Sequence, residues 1–236
     1  MMINPWRRIL PLFWALTVVG AVQAQPPLVA VDVGHGGRDR GAISARGRDE
    51  FAFNLDFARV LAEQLQAHAL AVREINFDET VSSLAERPRL AAGSDFFISI
   101  HHDSISEDYL QTWEWAGSEL TYTEVKRGFG LFISAANPRP EESLACARAI
   151  GQRLRAAGWV PTPWHGRKHL AADAELGIWY YDNLVVLYRT SLPAVLFEAG
   201  VIKHREEELA LSDPLQQTAM AAALAAGLAA CLPLRE

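Results

Sequence analysis

Lysine is scarce in this 236-residue chain: Lys126, Lys168 and Lys203 stand beside 19 arginines, a preference that reads as genomic bias rather than chemistry. Basic residues total 22 against 28 acidic ones, for a formal net charge of -6. A chain with no basic excess has little to exchange for the counterions of a nucleic acid, so DNA and RNA binding are disfavoured. Only two cysteines occur, Cys146 and Cys231. Two thiols cannot build a disulfide framework. Each lies in or near an Ala/Leu-rich helical segment, and they are expected to pack as small hydrophobes, with a single bridge as the alternative. No repeat, linker or low-complexity tract divides the sequence, which argues for one domain. Half of the residues are apolar, and glycine and proline are moderate at 16 and 12. That composition supports a sizeable core and excludes disordered and collagen-like classes.

Long apolar runs are few. Arg7 and Arg8 precede one from Ile9 to Val22, 14 residues, short of the roughly 20 that a membrane-crossing helix needs. Val22-Gln23-Ala24 then offers small residues where a signal peptidase reads them. Residues 1–24 are therefore expected to be a signal peptide, leaving residues 25–236 as the exported, periplasmic part. That part carries 20 basic and 28 acidic residues, a net charge of -8. It has no second long apolar run, so no membrane span is expected in it, and it is expected to act as a monomer.

The remainder alternates strand and helix signals. Leu28–Val33 is a short apolar run ending at Gly34, as a buried strand would be. A polar, glycine-rich loop follows over residues 34–49. Phe51, Leu55, Ala58, Ala62 and Leu65 form one stripe of a helix from about Glu50 to Gln66, capped by Asp49. Ala71–Ile75, Phe96–Ile100, Phe129–Ser134, Val185–Tyr188 and Ala194–Phe197 read as further strands, the third-strand run ending at His101. Leu84–Ala92 reads as a short helix. Residues 104–127 read as a hairpin or ordered loop, and residues 158–175 as a loop. Pro140-Glu141-Glu142 opens a helix to about Ala156, and Asp213-Pro214 opens the last. The expected fold is α/β: a single domain with a mainly parallel, twisted sheet of about six strands flanked by helices.

Ionisable residues cluster just after strands. The first strand leads into His35, the third into His101-His102-Asp103, and the last contains Glu198 within Ala-Val-Leu-Phe-Glu-Ala-Gly. Ligands of open α/β sheets bind beyond the carboxyl ends of the strands, and Glu50 at the start of the first helix can reach the same crevice. Two histidines and a glutamate are a familiar ligand set for catalytic zinc, and a further carboxylate beside the ion would serve as general base. Taken singly each has an ordinary use: His35 as a turn residue, Glu50 as first-turn decoration, His101 as a strand end. Glu198 has the fewest, because a carboxylate buried against a sheet is costly unless paired or on a metal. A metal hydrolase leads on these residues alone.

Four blocks taken together resemble the catalytic domain of the zinc-dependent N-acetylmuramoyl-L-alanine amidases of bacterial cell walls, the type 3 amidases. They are residues 31–42 around His35, Glu50 with Asn54-Leu55, Ser99-Ile100-His101-His102-Asp103-Ser104, and residues 193–200 around Glu198 followed by Glu206-Glu207. The blocks keep the family's order across nearly all of residues 28–230. The resemblance implies one zinc ion per chain on His35, Glu50 and His101, Glu198 as catalytic acid/base, and a peptidoglycan or muropeptide substrate cut between N-acetylmuramic acid and L-alanine. Asp32 and Asp39 would shape the loop or support the ligands.

This chain departs from the family at His102, where a small residue is usual, and at Val201, where phenylalanine is frequent. Strand alternation turns His101 and His102 to opposite faces; the position after Ser99-Ile100 selects His101. His102, His165 and His169 are candidates for the substrate cleft, His68 and His204 are expected at the surface, and Trp113 and Trp115 are candidates for stacking on a sugar or peptide. Only Ala135–Pro140 joins the fourth strand to its helix, which leaves no room for the inhibitory helical insertion of division-linked members. No separate wall-binding module is expected. A zinc peptidase or deacetylase acting on another wall bond is the alternative enzyme. A catalytically dead wall-binding or activator protein is the non-enzymatic one, and the intact set of four side chains argues against it.

Overall fold

Hydrophobic alternation along residues 25–234, the residues described by this computed structural model, builds one mixed sheet; the expected leader, residues 1–24, lies outside them. The elements in chain order are β1 (Leu28–Val33), α1 (Glu50–Ala67), β2 (Ala71–Ile75), α2 (Glu86–Leu90), β3 (Phe96–Asp103), β4 (Gln111–Trp115), β5 (Ser118–Tyr122), β6 (Gly130–Ile133), α3 (Pro140–Ala156), β7 (Ala171–Asp173), β8 (Ile178–Tyr180), α4 (Val185–Tyr188), β9 (Ala194–Val201), α5 (Arg205–Ser212) and α6 (Pro214–Cys231). The main sheet has seven strands in the order β2-β1-β3-β9-β6-β8-β7. β2, β1, β3 and β9 run parallel, β6 runs antiparallel to β9, β8 is parallel to β6, and β7 turns back on β8. β4 and β5 form a separate hairpin whose turn residues Ala116 and Gly117 both have positive φ, as a tight hairpin turn requires.

The two faces of the sheet are covered unequally. Val29, Val31, Val33, Ile98, Ile100, Val195 and Phe197 pack against α1, α3 and α6 in the larger core. Ala30, Phe97, Ala194 and Leu196 point the other way, into a smaller cluster closed by Val186, Leu187 and Leu192. This second face is thinly roofed, so the carboxyl ends of β1, β3 and β9 stay accessible on that side. α1 buries Phe53, Phe57 and Leu61 along with the expected Phe51, Ala58, Ala62 and Leu65, while Leu55 is only half-buried. Asp49 caps it by accepting a hydrogen bond from the Ala52 amide. Asp213 caps α6 in the same way, accepting from the amides of Leu215 and Gln216.

Several expectations are corrected. Val185–Tyr188 is a single helical turn, not a strand; the sheet instead gains the three-residue strand β7 from within the expected loop of residues 158–175, and β8 from residues just after it, where no element was expected. β-branched residues raise strand propensity, but packing overrides it in so short a run. Cys146 and Cys231 are not separate thiols but a disulfide between α3 and the end of α6, with Cα atoms 5.3 Å apart. The helices can approach so closely because Gly227 faces α3: a Cβ there would lie 2.6 Å from the Ile150 Cα. His204 is buried at 4% exposure rather than on the surface. Its Nδ1 accepts a hydrogen bond from the Glu207 amide at the start of α5.

Candidate functional site

Three segments meet where β1 and β3 end. β1 releases the chain into Gly34 and His35, and His35 adopts a left-handed φ of 64°, a conformation that a non-glycine residue holds only when its surroundings enforce it. The enforcement is visible: the Asn76 side-chain amide donates to the carbonyls of Val33 (2.9 Å) and His35 (2.7 Å), and the buried Arg87 guanidinium donates to the same two carbonyls. Arg87 is itself paired with Asp32 at 2.9 Å, and Asp32 also accepts from the Ser99 hydroxyl. Asp32 is therefore a buried anchor beneath the loop.

The His35 Nε2 lies 3.1 Å from the Glu50 Oε1, and the His101 Nδ1 lies 3.0 Å from the same oxygen. One donor atom from each of His35, Glu50 and His101 lies within 4.8 Å of the others. Glycine makes the convergence sterically possible. A Cβ on Gly34 would sit 2.2 Å from the His101 Nε2, and one on Gly41 would sit 2.5 Å from the Glu50 Oε2. The Glu50 Oε2 accepts from the Ala42 amide at 3.1 Å. Burial alone would raise the Glu50 pKa, yet hydrogen bonds and charge from His101 and His35 hold it well below the usual carboxylate range. Burial pulls the His35 pKa down, but Glu50 and Asp39 more than offset it and leave it raised. The Asp39 carboxylate lies 3.4 Å from the His35 Nδ1, the position from which an outer partner orients a ligating imidazole. Two imidazoles and a carboxylate are a donor set that suits zinc, with room for a further ligand.

Glu198 sits beside this cluster. It is the register partner of His101 on the neighbouring parallel strand, and the ladder shifts by one residue immediately after the pair. Such a bulge re-aims side chains at the end of a strand. The Glu198 Oε2 is enclosed without a hydrogen-bond partner. Burial, with the nearby charges of Asp103 and Glu50, pushes its pKa well above the ordinary value. Asp103, the last residue of β3, is paired with Lys126 at 2.5 Å, and Lys126 also donates to the Ser104 carbonyl. A cavity of about 570 Å³ opens here, lined by Glu198, Asp103, Lys126, His165 and His169 among others.

The loop histidines His165 and His169 both line this cavity. His165 is 7% exposed, with its Nε2 3.3 Å from the Asp103 carboxylate. Burial, then Lys126 and His169, lower its pKa to about 3, so the ring is neutral at pH 7. His102 is not among the residues lining this cavity. Alternation sends it to the other face, where the Asn54 Oδ1 lies 2.8 Å from its Nδ1 and the rings of Phe53 and Phe57 enclose it. Trp113 and Trp115 stack on each other on the hairpin, beneath the Arg46 guanidinium, and they too lie outside this cavity. Sequence reasoning passed over Lys126, Arg87 and Asn76. The scarcity of lysine was the one available signal, and it marks Lys168 and Lys203 as much as Lys126 and neither Arg87 nor Asn76.

The family model for N-acetylmuramoyl-L-alanine amidase, Amidase_3, matches residues 29–230. The amidase AmiA of Salmonella typhimurium is 26% identical over 229 residues, covering 85% of this chain and 74% of that protein. Among solved structures, an N-acetylmuramoyl-L-alanine amidase from Clostridium difficile 630 superposes with a TM-score of 0.67 at 22% identity, over 87% of this chain and 96% of its own. The catalytic domain of CwlV, an N-acetylmuramoyl-L-alanine amidase from Bacillus (Paenibacillus) polymyxa var. colistinus, gives 0.65 at 26% identity, over 86% and 96%. With nearly the whole described chain inside the match, this protein belongs to the Amidase_3 family of N-acetylmuramoyl-L-alanine amidases.

Proposed function

We propose that this protein is a zinc-dependent N-acetylmuramoyl-L-alanine amidase that hydrolyses the amide joining the lactyl group of N-acetylmuramic acid to L-alanine of the stem peptide. The observation that carries the reading is the meeting of His35, Glu50 and His101 beside the unpartnered carboxyl of Glu198. His35, Glu50 and His101 would hold one ion. When bound there, zinc supplies Lewis-acid polarisation of the scissile carbonyl and lowers the pKa of water towards about 7. Glu198 takes the proton of the attacking water at its enclosed carboxyl and delivers it to the departing nitrogen of L-alanine as the carbon–nitrogen bond breaks. Burial and the charges of Asp103 and Glu50 raise its pKa, so it takes up a proton more readily than an ordinary carboxylate. Lys126 pairs with Asp103 and holds it in place beside Glu198. One chain carries all four side chains, so the reading needs no second copy.

Export to the periplasm is part of the proposal. The leader pattern of residues 1–24 supports it, as does the Cys146–Cys231 bridge, a feature of oxidising compartments. Among the described residues no helix is long and apolar enough to cross a membrane. The test is incubation of the zinc-loaded protein with peptidoglycan sacculi, followed by mass spectrometry. Free stem peptides beginning with L-alanine are expected. Cleavage within the peptide, or loss of acetyl groups, would instead identify a peptidase or a deacetylase.

A further inference from the structure

Basic side chains gather in the cleft next to Glu198, beside the acidic Asp103 and Glu198. Two of the three lysines of the chain, Lys126 and Lys168, line it together with Arg167. Lys126 is committed to Asp103 and the Ser104 carbonyl. Arg167 is not committed to any acid. Its guanidinium lies over the rings of Trp164, at 4.5 Å, and Tyr109, at 5.3 Å. Those two rings brace each other edge-on at 4.9 Å, and the Trp164 indole is fixed by a 2.8 Å hydrogen bond to the Val125 carbonyl. Arg40, Arg46, Arg48 and Arg205 also lie over aromatic rings, and each pairs with a carboxylate as well; Arg189 lies over Tyr188 at 5.9 Å, outside this cleft. Among the described residues the side chains of Arg167 and Lys168 make no ion pair or hydrogen bond. A guanidinium held over aromatic rings with no acid partner keeps its fork of N–H donors available, and that fork takes a carboxylate with two hydrogen bonds.

The chemistry of the scissile amide says where such a carboxylate comes from. On the sugar side the lactyl carboxyl is consumed in the amide itself and the N-acetyl group is neutral. On the peptide side, the second residue is a glutamate linked through its side chain, which leaves its α-carboxylate free, and a diamino acid in third place can carry another.

We propose that Arg167, assisted by Lys168, binds a free carboxylate of the stem peptide, so that the cavity beside Glu198 is the peptide side of the substrate site. This rests on the amidase reading. The test uses the zinc-loaded protein and muramoyl tripeptides in matched pairs: the second-residue α-carboxylate free or amidated, and the third residue diaminopimelate or lysine. The wild-type protein is expected to favour at least one carboxylate-bearing member of a pair by about tenfold or more in kcat/KM, mainly through KM, the size expected for a charge-assisted hydrogen-bonded pair. Arg167→Gln, a change at an exposed side chain, should bring that ratio close to one. The pair that discriminates identifies which carboxylate is bound. Equal kcat/KM within both pairs, or a preference that survives in Arg167→Gln, overturns the subsite while leaving the amidase reading standing. Absence of hydrolysis for every substrate overturns both.

Discussion

His101 and Glu198 stand opposite each other on adjacent parallel strands, their Cα positions in register. A proposed ligand and the proposed acid/base are thereby fixed on one rigid support at the carboxyl ends of the sheet, where α/β proteins bind their ligands. Glu198→Gln preserves shape and removes the titrating group. Turnover on muropeptides is expected to fall by about 10²-fold or more, the usual range for a general acid/base, in steady-state assays at pH 7. A variant with wild-type kcat would remove Glu198 from the reaction.

Gly34 faces the imidazole of His101 with no space for a methyl group. Gly34→Ala should displace that ring and weaken zinc binding by about 10- to 100-fold, the effect typical of disturbing the support of a ligand. Competition against a chromophoric chelator measures it, with circular dichroism confirming that the fold persists. Unchanged affinity would mean that His101 tolerates the shift or does not ligate.

The Cys146–Cys231 bridge closes a loop spanning 85 positions and lies in α3 and α6, away from the site. On the chain-entropy account, losing such a cross-link costs about 4–5 kcal/mol. Cys231→Ser should lower the urea midpoint accordingly, and reductant should do the same to the wild type while leaving the variant unaffected. Equal midpoints for both proteins under oxidising conditions would argue that the cysteines do not pair.

Burial lowers the pKa of both His102 and His165 to about 3. The unfolded chain takes up both protons near pH 6.5 while the folded chain does not. Stability from these two groups is therefore complete above about pH 6.5 and is lost as pH falls towards 3. His35, whose pKa is raised, acts in the opposite sense but equally in the proteins compared. With chelator present to remove zinc linkage, His165→Gln should reduce the pH slope of unfolding free energy between pH 6 and 4 by about 1.4 kcal/mol per unit. An unaltered slope would show that His165 is protonated in the folded state.

The parts of the fold legible in the sequence are those governed by local rules. The stripe of α1 with its Asp49 cap, Pro140 opening α3, Asp213 opening α6 and the apolar run of β1 each carry their signal within a few residues. The positions of His35, Glu50, His101 and Glu198 were legible because strand ends in an α/β pattern point to one crevice. What escaped depends on distant partners. The extension of β3 through Asp103 and of β9 to Val201 relies on mutual pairing, and a polar run such as His-His-Asp gives no strand signal. The Arg87 clamp joins positions 52 residues apart, and the Lys126–Asp103 pair likewise crosses elements. The disulfide depends on the packing of α3 against α6, and His102 looked like a cleft residue until alternation set it against Phe53 and Phe57.

The central claim is that His35, Glu50 and His101 hold one zinc ion while Glu198 does not. Its most direct test is the zinc content per chain, by elemental analysis, of the wild type, Glu198→Gln and His35→Ala after equilibration with limiting zinc. About one ion in each of the first two and almost none in the third is the expected result. A zinc-free wild type, or full occupancy in His35→Ala, would contradict it.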